Sequence, residues 1–96
     1  MNLKNSERQQ LKAIAHSLDP LVRVGRKGVN DALIKRISRA LENHELIKVK
    51  FLEYKPQKRR LSEEIAERTS SQLVEIIGNV AIFYRENPNA RTINLS

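Results

Sequence analysis

Leu18-Asp19-Pro20-Leu21-Val22-Arg23-Val24-Gly25-Arg26-Lys27-Gly28-Val29 carries the instructions that decide the fold. Asp19-Pro20 stops a helix, because proline disfavours helical backbone at the preceding residue and has no amide to donate. Leu21 to Val24 is a short strand with β-branched side chains. Gly25-Arg26-Lys27-Gly28 is a tight loop whose two glycines can take conformations closed to other residues. Asn30, just beyond, is an N-cap for the next helix. Strand, glycine-bounded loop and helix start, in that order, open a β-α-β unit.

Working outward, Ser6 and Gln9 read as a capping box, and Leu11, Ile14, Ala15 and Leu18 share one face. They predict a first helix from Ser6 to Ser17. Downstream of the loop, Leu33, Ile34, Ile37 and Leu41 form the buried stripe of a second helix, with Lys35, Arg36 and Arg39 projecting elsewhere. Leu46 to Tyr54 is a strand with Ile47, Val49 and Phe51 on one face and Lys48 and Lys50 on the other. A basic linker, Lys55-Pro56-Gln57-Lys58-Arg59-Arg60, leads to Ser62 as the cap of a third helix. Glu63 and Glu64 then suit the positive end of its dipole, and it ends near Thr69-Ser70-Ser71. Two strands, 72–77 and 80–85, flank Gly78-Asn79, a hairpin turn calling for positive φ at both residues.

The order α-β-α-β-α-β-β predicts an α/β (α+β) fold, a mixed four-stranded sheet with packed helices. It forms one domain over 1–86, with 87–96 as a polar tail. Leu46, Leu52, Leu73 and Ile77 ask for cover on the second sheet face, and the first helix is the candidate to supply it.

Ninety-six residues suffice for one core only. The absence of cysteine excludes disulfides, thiolate metal sites and a cysteine nucleophile. No apolar run approaches the roughly 18 residues needed to span a bilayer, and the polar start lacks a secretory signal core. The expectation is a cytoplasmic monomer without metal, cofactor or small-molecule substrate. Charge is more telling. The chain is +7 overall, but residues 23–60 alone hold twelve basic against four acidic side chains, a net of +8. That concentration is the footprint of a polyanion such as nucleic acid.

Gly25 to Gly28 is where a phosphate fits. Its glycines allow close approach, the amides of the following helix are unpaired, and Arg26 and Lys27 add full charges at the tip. A GxxG loop alone is weak and is more often a compact turn; the dibasic tip and the helix cations Lys35, Arg36 and Arg39 favour phosphate contact. Lys48 and Lys50 extend the surface or are simply a wet strand face, at even weight. The linker 55–60 is at least as well read as a solvated connector. Phe51 and Phe83 belong to the core, leaving Tyr54 and Tyr84 as stacking candidates, too few for an RNA-recognition-motif sheet. His16 and His44 read as structural or surface residues. Glu63, Glu64 and Glu67 fall at one helix start, where stabilisation explains them, so no catalytic site is expected.

The stretch 18–29 resembles the signature of the CRM domain, the chloroplast RNA-splicing and ribosome-maturation module. His44-Glu45-Leu46-Ile47-Lys48-Val49-Lys50, Val74-Glu75-Ile76-Ile77-Gly78 and Tyr84-Arg85 resemble its later blocks. The length is that of the free-standing bacterial, YhbY-like members. The resemblance implies a fold similar to the C-terminal domain of translation initiation factor three. It also implies RNA binding on ribosomal RNA in precursors of the large ribosomal subunit, organellar members serving group II intron splicing. Gly25 to Gly28 would be the RNA-backbone loop, supported by Arg23, Lys35, Arg36, Arg39, Lys48 and Lys50. Two departures stand out: Asn30 replaces the usual Thr or Ser, and Ser70 replaces a helix-ending glycine, which predicts a looser C-cap. The rival reading is a protein-interaction module docking on an acidic assembly-factor partner. Binding to an anionic membrane lacks the amphipathic helix with aromatic anchors that it needs.

Overall fold

The computed structural model describes residues 3–88 and 93–95. Within them the elements run α1 (Asn5–Ala15), β1 (Val22–Val24), α2 (Asp31–His44), β2 (Leu46–Phe51), a single 3₁₀ turn (Lys55–Gln57), α3 (Lys58–Thr69), β3 (Gln72–Ile77) and β4 (Val80–Tyr84). The mixed α+β architecture expected from the sequence is the one observed. Sheet order is β1-β2-β4-β3. β1 pairs parallel with β2, with Arg23 opposite Lys50, and both remaining pairs are antiparallel.

Alternation along the strands gives each sheet face its own core. Val22, Val24, Ile47, Val49, Phe51, Ala81 and Phe83 pack with Leu33, Ile34, Ile37 and Leu41 of α2 and Ile65 of α3. On the other face Leu46, Val74, Ile82 and Tyr84 pack with Leu11 and Ala15 of α1. The first helix does cover the second face, at one end. Leu52 and Ile77 stay outside this cover, 45% and 58% exposed, and Leu73 packs on the α2/α3 side. An irregularity between Leu73 and Glu75 shifts the β3 register there. The Arg8 guanidinium donates to the carbonyls of Leu73 and Val74 at 2.9 and 3.0 Å, fixing α1 to that irregular stretch.

Several boundaries differ from the sequence reading. The Ser6/Gln9 capping box does not form. The helix starts earlier, and Glu7 Oε1 accepts from the Lys4 amide at 2.9 Å. Ile14, expected on the buried face of α1, is 39% exposed. Ser62 is not the cap of α3. It is buried inside the helix with no partner for its hydroxyl, while Lys58, Arg59 and Arg60 form the first turn. The basic linker is therefore structured, and Glu63 and Glu64 lie too far along to serve the helix start. At the hairpin only Gly78 has positive φ (60°); Asn79 does not, the pattern of a II′ rather than a I′ turn.

Ser70 does end α3, in left-handed backbone (φ 54°) despite its side chain. The cap is closed, not loose: Ser71 N–H donates to Ala66 O at 2.9 Å, and the Thr69 hydroxyl to Ile65 O at 2.8 Å. Arg85 ties the end of α3 to the middle of α2, donating to Thr69 O and to Ser38 Oγ and O. In the segment expected as a polar tail, Ile93 and Leu95 pack against the second core, and the Asn87 and Ile93 amides donate to the buried Glu45 carboxylate.

Candidate nucleic-acid interface

β1 delivers the glycine loop at the end of the sheet. Gly28 N–H donates to Gly25 O at 3.0 Å, closing a four-residue turn. Neither Arg26 nor Lys27 has positive φ, which fits a type I turn with the left-handed conformation left to Gly28 (φ 68°). Both basic side chains stand exposed at the tip. Asn30 caps α2 as expected, its Oδ1 accepting from Leu33 N–H at 2.8 Å. Asn30 thus occupies one free amide of α2, and its first turn stands beside the loop.

Beneath the loop lies Tyr54. Its hydroxyl donates to Arg26 O at 2.6 Å. Its ring stands 3.4 Å from where a side chain on Gly28 would begin. The connector is held in place because Val24 O accepts from the amides of Leu52 and Glu53, at 3.0 and 3.2 Å. Tyr54 itself sits in left-handed backbone, φ 58°. It remains 43% exposed, whereas Tyr84, the other stacking candidate, is buried in the α1 core.

A groove of about 500 Å³ opens between the loop and α2. It brings together six of the residues singled out from the sequence: Arg23, Gly25, Arg26, Lys27, Gly28 and Arg36, with Asn30, Ala32 and Leu33 completing the wall. Arg39 follows Arg36 by three positions and continues that stripe of α2; Lys35 is exposed beside it. Lys50 is exposed on the outer sheet face, in register with Arg23. Lys48 stands apart from the groove. It is half-buried, and its ammonium donates to Leu18 O at 2.9 Å, anchoring the α1–β1 connection. What gathers at the loop is a concave, cationic surface with backbone access, suited to phosphate oxygens.

The family model of the CRS1 / YhbY (CRM) domain matches residues 3–85. The chain belongs to the CRM domain family. Among its relatives, the Bacillus subtilis protein named probable RNA-binding protein YqeI is 39% identical over 94 residues, covering 97% of this chain and 98% of that protein. The Pseudomonas aeruginosa protein named probable RNA-binding protein PA4753 is 37% identical over 99 residues, covering 100% of this chain and 95% of its own. The solution structure of SAV1595 from Staphylococcus aureus matches with a TM-score of 0.85 and 38% identity, covering 99% of this chain and all of that one.

Two features beside the groove of this CRM domain are not legible in the sequence. Tyr54 reads from the sequence only as a possible stacking ring, since nothing local marks it as left-handed or places its hydroxyl beneath a loop 28 residues away. The turn at 55–57 reads as a linker because Pro56 breaks the pattern, whereas in the fold Pro56 sits in the first positions of the 3₁₀ turn, where a missing amide is harmless.

Proposed function

We propose that this CRM domain is a noncatalytic RNA-binding protein of the cytoplasm that associates, as a monomer, with precursors of the large ribosomal subunit and aids their assembly. The observation that carries the reading is the groove. One concave surface joins a dibasic, glycine-bounded turn to the capped start of α2 and to Arg23 and Arg36. The names of the B. subtilis and P. aeruginosa relatives support RNA as the ligand, and the +8 charge of residues 23–60 supports a polyanion. The loop and helix amides fix one backbone phosphate; Arg36 and Arg39 engage its neighbours. Contacts of this kind position the protein without reading bases, so sequence preference is modest.

Neutralising about five phosphates sets the slope of log K against log salt at about −3.5 to −4.5. Anisotropy titrations with a labelled RNA hairpin measure it, and a slope near zero removes the electrostatic mechanism. For the ribosomal partner, the test is sucrose-gradient fractionation of a lysate beside the Arg26→Ala/Lys27→Ala variant. Wild type in the large-subunit precursor fractions with the variant at the top supports both partner and loop. Wild type absent from every ribosomal fraction at low salt overturns the assignment and turns attention to an acidic protein partner.

A further inference from the structure

The groove leaves one strongly basic segment without a role: Lys55, Lys58, Arg59 and Arg60. The segment is not a loose linker, since the 3₁₀ turn runs straight into α3 at Lys58. Three contacts bring it to the end of the sheet that carries the glycine loop. Tyr54, which immediately precedes the turn, donates to Arg26 O at 2.6 Å. Phe51 N–H donates to Asn79 O at 2.7 Å, setting the hairpin tip beside the end of β2. The Lys58 ammonium donates to Gly78 O at 2.6 Å, pinning the start of α3 to that tip. Loop, turn and hairpin tip therefore line one end of a four-stranded sheet, a width of roughly 14 Å at the usual strand spacing.

The cations on this edge are not equivalent. Lys58 is committed to the hairpin, and Arg59 acts electrostatically on Glu75. Lys55 and Arg60 are exposed, and among the described residues no hydrogen bond or ion pair engages the side chain of either. Glu53, also exposed, is the single acidic side chain in residues 46–62. Nor does the charge serve the helix it opens. The first turn of α3 holds no acidic residue, and cations there oppose the dipole.

We propose that Lys55 and Arg60 form a second phosphate-contacting arm of the interface, held in fixed relation to the Gly25–Gly28 loop by Tyr54. A structured RNA then lies across the end of the sheet instead of resting on the loop alone. The inference rests on the RNA-binding reading and extends its footprint.

The test is a salt series of anisotropy titrations with a fluorescein-labelled RNA hairpin. It compares wild type, Lys55→Ala/Arg60→Ala, the charge-conserving Lys55→Arg/Arg60→Lys and Arg26→Ala/Lys27→Ala, each checked for fold by circular dichroism. Each lost phosphate contact lowers the salt slope by about 1. The expected result is therefore a slope reduced by about 2 and weaker binding for Lys55→Ala/Arg60→Ala, with the charge-conserving variant at the wild-type slope. Loss of binding in the loop variant with Lys55→Ala/Arg60→Ala unchanged overturns the second arm and leaves the RNA-binding reading standing. No change in either alanine variant overturns both. Weakened binding of Lys55→Ala/Arg60→Ala at an unchanged slope also overturns the arm, because the lost contact was then not ionic.

Discussion

Tyr54 and Gly28 meet at the point where the loop could deform, and they separate two kinds of contribution. Removing the hydroxyl in Tyr54→Phe deletes the bond to Arg26 O but keeps the ring and every charge. A hydrogen bond of this kind is worth about 0.5–1.5 kcal/mol. RNA affinity is therefore expected to fall about two- to tenfold if the bond sets the loop's geometry, with the salt slope unchanged. Gly28→Ala acts through the backbone. At φ 68° a side chain costs about 1–2 kcal/mol, although the new methyl would meet the Tyr54 ring only in ordinary contact. Urea unfolding should register that loss, and anisotropy should show weaker binding, again without a change of slope. Ser70 presents the opposite case, a side chain already held in left-handed backbone at the end of α3. Its cap bonds come from backbone amides, so Ser70→Gly keeps them and removes the steric cost. A gain of about 1 kcal/mol in unfolding free energy is expected.

Between elements, the contact of α1 with β3 carries the clearest pH signal. The Glu75 carboxyl is held below its ordinary value, first by the Ile76 amide and then by its hydrogen bond to Lys12, with burial opposing and the charges of Lys12 and Arg59 assisting. Because the folded state favours the ionised carboxylate, this contribution is complete above about pH 4.5 and is lost as pH falls through the lowered folded value. Urea midpoints measured through that range should drop, and Glu75→Gln should flatten this part of the profile; a wild-type curve matched by the variant would remove Glu75 from the account. The elements themselves were largely readable in the sequence, because α2, β2 and the hairpin strands have strong periodicity and Asn30 is a true cap. The start of α3 was not. Ser62-Glu63-Glu64 imitates a helix start, but the hydrophobic contacts of Leu61 and Ile65 draw the preceding basic turn into the helix. The placement of the loop cations at an exposed tip is legible for a related reason, since it depends on local turn chemistry, whereas the bond of Lys48 to Leu18 O is not, because the two lie 30 residues apart.

Across the whole molecule, the sheet divides the work between its two ends. The strands β1 and β2 finish at the loop, Tyr54 and the basic turn, while the opposite end is closed by Glu45. This residue links α2 to β2 at φ 60° and is fully buried. Its carboxylate accepts the amides of Asn87 and Ile93 at 2.9 and 3.0 Å, and its carbonyl accepts that of Arg85 at 2.8 Å. Ile93 and Leu95 are thereby laid against the α1 core beside Leu3 and Leu18. Glu45→Ala deletes these carboxylate bonds to Asn87 and Ile93 and leaves the carbonyl bond. At about 1.5–3 kcal/mol for each charge-assisted bond, partly recovered by water at the freed amides, a loss of about 2–4 kcal/mol is expected. If Ile93 and Leu95 then leave the second core, the native state exposes more surface and the urea m-value falls along with the midpoint. RNA affinity at the far end should stay at the wild-type value, since Glu45 precedes β2 at the end of the sheet opposite the loop. A Glu45→Ala protein that remained folded but lost RNA binding in step with its stability would show that the two ends are one cooperative site, and the division of labour would fail.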